Sequence, residues 1–155
     1  MPERTPGKTT DETREERRAI RLDQFIAHPP AKVWRAITEP DLVSRWLMPG
    51  DIKAEVGHRF TFTTTPKEQV GFDGIVHCEV LEAEPQKLLK LSWRGGDADW
   101  TVTWRLEPEG RGTRLFLDHE GFDPDDPLQQ MSRKIMGGGW RSAHFKAIAE
   151  VAARL

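Results

Sequence analysis

From Ala19 the chain alternates: Ile20, Leu22, Gln24 and Ile26 fall at one parity and Arg21, Asp23 and Phe25 at the other, the period of a strand with one buried face. His28-Pro29-Pro30 ends it. Proline is accommodated in a first helical turn, and Val33, Trp34 and Ile37 follow at helical spacing, which predicts a short helix from about Pro30 to Ile37. Thr38, with Asp41 three residues on, reads as a capping box for a second short helix carrying Leu42, Val43 and Trp46. Met48-Pro49-Gly50 stops that helix.

Residues 52 to 120 show no helical period, only short apolar alternations separated by turn residues. Strands are expected at about 52–56, 59–65, 71–84, 87–94, 100–107 and 112–120, the long one containing a bulge. Turns fall at Val56-Gly57, Pro66-Lys67, Glu84-Pro85, Gly95-Gly96 and Glu109-Gly110. One parity collects Phe60 and Phe62; Gly74, Val76, Cys78 and Val80; Leu89, Leu91 and Trp93; Trp100, Val102, Trp104 and Leu106; and Leu115, Leu117 and His119. The other parity holds Lys90, Thr101, Thr103, Arg105, Arg114 and Asp118, with His77 and Glu79, as the solvated face of an antiparallel sheet should.

Beyond Pro124-Asp125-Asp126-Pro127, with Asp126 as a cap and Pro127 at the first helical position, the chain reads as helix to Leu155. Trp140, His144, Ala147, Val151 and Leu155 form its apolar stripe. Gly137-Gly138-Gly139 interrupts it at a cost of about 2–3 kcal/mol relative to alanine. A continuous or kinked helix is the preferred reading, with close packing offsetting that cost, and a loop is the alternative. At the other end, residues 1 to 17 carry charges, Thr, Pro and Gly without periodic apolar residues, which predicts a disordered tail before a single domain over 18–155.

Composition narrows the partners. Twenty-three basic against 25 acidic residues give a formal charge of -2, so no net positive field exists to condense on nucleic acid. The apolar runs are too short for a membrane-inserted segment or a signal peptide, and a cytoplasmic location is expected. The lone Cys78 has no thiol partner for an internal disulfide and reads as a small buried hydrophobe.

Val33-Trp34, Ala36-Ile37-Thr38, Pro40, Leu42 and Trp46, then Leu91-Ser92-Trp93, then Leu115, Leu117, His119, Gly121, Phe122 and Gly139-Trp140, resemble in order and spacing the C-terminal-domain family of the Hsp90 ATPase activators. That family lies within the helix-grip, START-like superfamily, and the resemblance covers Ala19 to the end. It implies an α+β fold: a six- to seven-stranded curved antiparallel sheet packed on a long C-terminal helix, with two short helices after the first strand. It also implies a cavity between sheet and helix that in many superfamily members receives an apolar molecule. Lipid carriers, hormone receptors and polyketide cyclases share the superfamily, so the fold alone does not transfer a reaction. The resemblance implies a role in stress response, but the eukaryotic activators carry a separate N-terminal chaperone-binding domain where this chain has a short charged tail, which weighs against a chaperone partner without removing it.

The candidate ligand-binding residues are Phe60, Phe62, Trp93, Trp104 and Trp140, the bulky inward aromatics, with His119 and His144 as the ionisable residues on inward faces. Six tryptophans bring indole N–H groups that need partners when buried. A neutral imidazole can hydrogen-bond a ligand carbonyl or hydroxyl, or act as a base if its pKa lies near working pH. No catalytic residue is assigned. His77, Cys78 and Glu79 are consecutive and diverge on a strand, so no metal site is expected. A serine elbow and a phosphate loop are both missing, and no cofactor is expected. The sequence therefore reads as a domain binding a small apolar or amphipathic molecule. A cyclase- or hydrolase-like enzyme of the same fold and a chaperone-activator type of interaction module are the alternatives. The assigned faces predict that Leu117→Asp unfolds the domain, because an unpaired buried carboxylate costs several kcal/mol out of about 5–15. Asp118→Leu is expected to leave it folded. Circular dichroism melts of both variants check this, and equal tolerance would place the strand one residue out of register.

Overall fold

The computed structural model describes residues 13–155. Six strands form one antiparallel sheet: β1 Ala19–Ile26, β2 Arg59–Thr63, β3 Ile75–Glu84, β4 Leu88–Gly95, β5 Ala98–Glu109 and β6 Gly112–Glu120. Their order is β1-β6-β5-β4-β3-β2. The connections from β3 to β6 are hairpins, and the first strand closes onto the last with Ile20 opposite His119 and Leu22 opposite Leu117. Helices α1 (Pro30–Thr38) and α2 (Pro40–Trp46) lie between β1 and β2. The C-terminal helix is α3 (Pro127–Gly139), a π-helical turn (Trp140–His144) and α4 (Phe145–Ala153).

The period-2 pattern determines the layers. Every residue assigned above to the inner face of β2 to β6 is buried, and the helices cover it with Val33, Ile37, Trp46, Trp140, Phe145 and Ile148. The outer face is laced by cross-strand ion pairs such as Arg21–Glu120 at 3.1 Å, Arg59–Glu79 at 3.2 Å and Arg114–Asp23 at 3.2 Å. Such exposed pairs contribute little individually. Their effect is to keep that face wet.

Several expectations need correction. Residues 52–56 are not a strand: Ile52 is buried, but Val56 is 67% exposed, so no continuous apolar face exists to pair, and the sheet has six strands. Residues 71–74 are not part of β3, because Gly71 and Gly74 take left-handed backbone conformations after a 3-10 turn over Glu68–Val70. The bulge in β3 is present, as a register shift between Val80 and Glu82. Thr38 does not cap α2. It closes α1, its hydroxyl donating to the Trp34 carbonyl at 2.7 Å, while Glu39 precedes Pro40 without a side-chain cap.

The glycine run is helical, and its physical reason differs from the expected one. A Cβ at Gly138 would meet nothing, and at Gly137 or Gly139 only ordinary contacts at 3.6 Å or more, so close packing does not require these glycines. The apolar stripe also shifts. The Phe145 amide reaches back five residues to the Trp140 carbonyl, and this π turn inserts one residue into the helical period. Phe145, Ile148 and Ala152 are therefore buried where His144, Ala147 and Leu155 were expected, while Trp140 and Val151 hold their places.

Residues 13–17, which the sequence places in a tail, are among the described residues. The Thr13 hydroxyl accepts from the Glu16 amide at 3.0 Å, just ahead of a 3-10 turn over Glu16–Arg18; residues 1–12 lie outside the described residues. Two side chains of α3 hold this segment: Gln130 donates to the Arg17 carbonyl, and Arg133 donates to the carbonyls of Ala19 and Glu16, each at 2.9 Å. Helix α3 buries only Gln129 and Gly137, so these polar contacts matter to its position. Asp126 caps it as expected, accepting from the Leu128 amide at 2.9 Å. Hydrogen bonds from a charged donor contribute about 1.5–3 kcal/mol. Arg133→Ala is accordingly expected to lower unfolding free energy by about 1–3 kcal/mol in a urea titration, and the exposed Lys134→Ala by less than about 0.5 kcal/mol. Equal effects would mean that the segment before β1 is not anchored through Arg133.

Candidate functional site

His119 lies near the end of β6, between Ile20 of β1 and Val102 of β5, and its side chain is fully buried. The Trp140 indole N–H donates to its Nδ1 at 3.1 Å. Indole nitrogen is a donor only, so Nδ1 is the accepting nitrogen and the ring proton of neutral His119 sits on Nε2. Nε2 is buried and has no hydrogen-bond partner among the described residues. Four rings surround the imidazole, Phe122 at 4.9 Å, Trp100 at 5.0 Å, Trp93 at 5.9 Å and Trp140 at 6.1 Å between centroids. Burial in this wall lowers the His119 pKa to about 3. It is a neutral hydrogen-bond donor facing aromatic carbon.

His144 plays a different part. It sits in the π turn, half-buried, its Nδ1–H donating to the Trp46 carbonyl at 3.0 Å, with the Trp140 ring at 4.8 Å and the Trp46 ring at 5.9 Å. Burial lowers its pKa, opposed by the Trp46 hydrogen bond. The imidazole thus ties the C-terminal helix to α2.

The sequence-derived residues form one connected set. Phe60 meets Phe62 at 5.2 Å, Phe62 meets Trp93 at 5.9 Å, and Trp93 meets His119. Trp140 links His119 to Trp104 at 5.6 Å and to His144. Four further residues belong to the set. Trp46 meets Trp104 and Trp140 at 5.9 and 6.4 Å and donates its indole N–H to the Ala36 carbonyl. Trp100 donates to Gln129 Oε1 at 2.9 Å, and Gln129 in turn donates to the Asp97 carbonyl. Phe122 stacks at 4.4 Å on Trp100. Trp100 lies on the inward face that its parity predicts. Phe122 lies beyond the strand, where alternation has ended, and Gln129 is a polar residue on an otherwise apolar inner side, so periodicity points to neither.

Cys78 is buried and its thiol is pushed up to about 12 by desolvation, which makes it inert. Among the described residues no group of three or more His, Cys, Asp or Glu side chains is placed to hold a metal ion, and no helix is long and apolar enough to cross a membrane. Two surface grooves open elsewhere. One, of about 440 Å³, lies where β1 begins and β6 ends and includes Phe122 in its lining. The other, of about 400 Å³, lies along β2, β3 and β4 and includes His77, Glu79 and Arg94.

A six-stranded antiparallel sheet whose inner face is closed by a long C-terminal helix defines a helix-grip, START-like domain. Residues 27–153 match the activator of Hsp90 ATPase homolog 1-like proteins, and the chain belongs to that family. Among solved structures it is similar to protein MLL2253 of Mesorhizobium loti, with 34% identity and a TM-score of 0.77 over 88% of this chain and 98% of that one. CalU16 of Micromonospora echinospora is similar at 26% identity and a TM-score of 0.67, over 87% and 76%. Protein BH1534 of Bacillus halodurans, at 24% identity and 0.70 over 86% and 96%, shares the fold. No curated protein matches the chain. Proteins of this fold family commonly bind hydrophobic ligands.

The buried imidazoles give the domain an acid sensitivity of definite sign. Unfolded His119 takes up a proton as pH falls through 6.5, whereas in the folded protein it stays neutral to about 3. The unfolded state then binds more protons, and stability is lost as pH falls through that window by up to about 1.4 kcal/mol per pH unit. The lowered pKa of His144 acts in the same direction. His119→Gln, which keeps an acceptor for the Trp140 indole, is expected to reduce the slope of unfolding free energy against pH between 4 and 6 by about one proton. Parallel slopes in wild type and variant would show that His119 is not the buried titrating group.

Proposed function

We propose that this domain binds an apolar or amphipathic small molecule against the inner face of the sheet, under the C-terminal helix, with His119 as the polar contact. The observation that carries the proposal is the His119 Nε2–H, buried, unpartnered and walled by Phe122, Trp93, Trp100 and Trp140. A buried donor left unmade costs about 1–3 kcal/mol, and a ligand oxygen placed there recovers it. The surrounding rings supply the apolar area that gives a small molecule most of its affinity.

A catalytic reading fits the same atoms less well. A proton acceptor in a reaction works best with a pKa near the working pH, and burial moves His119 far below it. Among the described residues no carboxylate is hydrogen-bonded to either His119 or His144 to restore basicity; their partners are the Trp140 indole and the Trp46 carbonyl. The binding reading uses the donor that the tautomer provides and needs no proton transfer.

Native mass spectrometry of the protein purified from its own host tests this directly, with a retained small molecule expected. Titration with a panel of apolar probes, read by tryptophan fluorescence and by the His119 ring-proton resonance, is expected to move both signals saturably. His119→Ala should weaken binding about five-fold, the equivalent of one hydrogen bond of about 1 kcal/mol. A panel that produces no saturable change in either signal, together with no retained mass, would falsify the binding function.

A further inference from the structure

The site around His119 is closed, and a ligand needs a way in. The groove at the start of β1 and the end of β6 comes nearest, because Phe122 forms part of its lining while the same ring contacts the His119 ring at 4.9 Å and Trp100 at 4.4 Å. Only 1% of Phe122 is exposed, so this aromatic side chain stands between groove and imidazole. Its backbone is held. The amides of Gly121 and Phe122 both donate to the Arg18 carbonyl, at 3.1 and 3.0 Å. Gly121 also has φ +109°, and a Cβ there would lie 2.8 Å from the Asp99 carbonyl oxygen, so the loop takes this path only with glycine. The Phe122 side chain has no hydrogen-bonding group and is held by ring contacts alone, with Trp100 at 4.4 Å and His119 at 4.9 Å, and a groove of about 440 Å³ that it helps to line lies on its other side.

We propose that Phe122 is the gate between this groove and His119, and that the gated site takes an uncharged ligand carrying an oxygen acceptor. The inference rests on the binding function proposed above and adds its entrance and ligand class. The charge of the entrance supports the second part. Arg14, Arg18 and Arg21 line it together with Glu15, Glu120 and Asp123, and Arg21 pairs with Glu120 at 3.1 Å, so neither sign of ligand charge is selected. Inside, the wall consists of aromatic rings and the His119 Nε2 valence is a donor on a neutral ring. A ketone, ester or ether oxygen satisfies it. A carboxylate drawn to the same place would be buried without a cation to compensate its lost hydration.

Fluorenone, fluorene and fluorenecarboxylate share a ring system and differ in what they offer this donor, so stopped-flow tryptophan fluorescence with the three probes tests both parts. Fluorenone is expected to bind about five-fold more tightly than fluorene and the carboxylate more weakly than either. In the wild type the observed association rate is expected to level off with fluorenone concentration as gate opening becomes limiting. In Phe122→Ala, and in Phe122→Leu should the alanine variant fail to fold, it should rise about ten-fold, as for a barrier lowered by about 1.4 kcal/mol, and stay linear with concentration. Saturable binding with identical, non-levelling rates in wild type and Phe122→Leu overturns the gate and leaves the binding function standing. A carboxylate that equals or exceeds fluorenone overturns the ligand class alone. No saturable signal from any of the three probes removes the binding function and this inference together.

Discussion

The hydrogen bond from the Trp140 indole to His119 Nδ1 joins the C-terminal helix to the sheet at the point where both are fully buried. Its consequences propagate in both directions. On the helix it fixes a large ring, around which Trp46, Trp104 and His144 are arranged at 4.8 to 6.4 Å. On the sheet it fixes a tautomer, and with it the character of the opposite ring nitrogen, which becomes a donor in aromatic surroundings. Structural support and the proposed recognition chemistry thus come from the two nitrogens of one imidazole.

Much of this was legible in the sequence because a half-buried strand advertises its faces. Between Phe60 and His119 the inner face could be assigned residue by residue, since one parity carries rings and aliphatics and the other carries Thr, Arg and Asp. Legibility failed where the physics was not periodic. Ile52 is an apolar residue buried from irregular backbone, and nothing in its neighbours distinguishes that from the start of a strand. Phe122 is buried by a loop pinned to the Arg18 carbonyl, a contact across the chain that no local pattern encodes. The π turn is a further case: a strict helical wheel carried past Trp140 selects His144 and Ala147, whereas one inserted residue turns Phe145 and Ile148 inward. The candidate site was easier to read than its access, because its walls are strand residues and its closure belongs to a loop.

The two halves of the C-terminal helix are held by different forces. Helix α4 buries Phe145, Ile148, Val151 and Ala152, and its position follows from apolar burial, at about 25 cal/mol per Å². Helix α3 leaves Leu128, Met131 and Ile135 exposed and is held by directional contacts from Gln129, Gln130 and Arg133. Helix α3 ends in three glycines, just before the π turn, where a Cβ would meet only ordinary contacts or nothing. Backbone freedom, costing roughly 1 kcal/mol of helix propensity at each position, is what they contribute at the junction.

These three side chains each reach main-chain oxygens: Arg133 the carbonyls of Glu16 and Ala19, Gln130 those of Arg17 and Asp123, and Gln129 that of Asp97. Every amino acid supplies a carbonyl. Those particular contacts therefore do not depend on which side chains stand at positions 16, 17 and 19, whereas they do depend on the three donors on α3. A substitution at one of those three acceptor positions keeps the carbonyl and so keeps the grip, whereas the loss of a donor on α3 releases it.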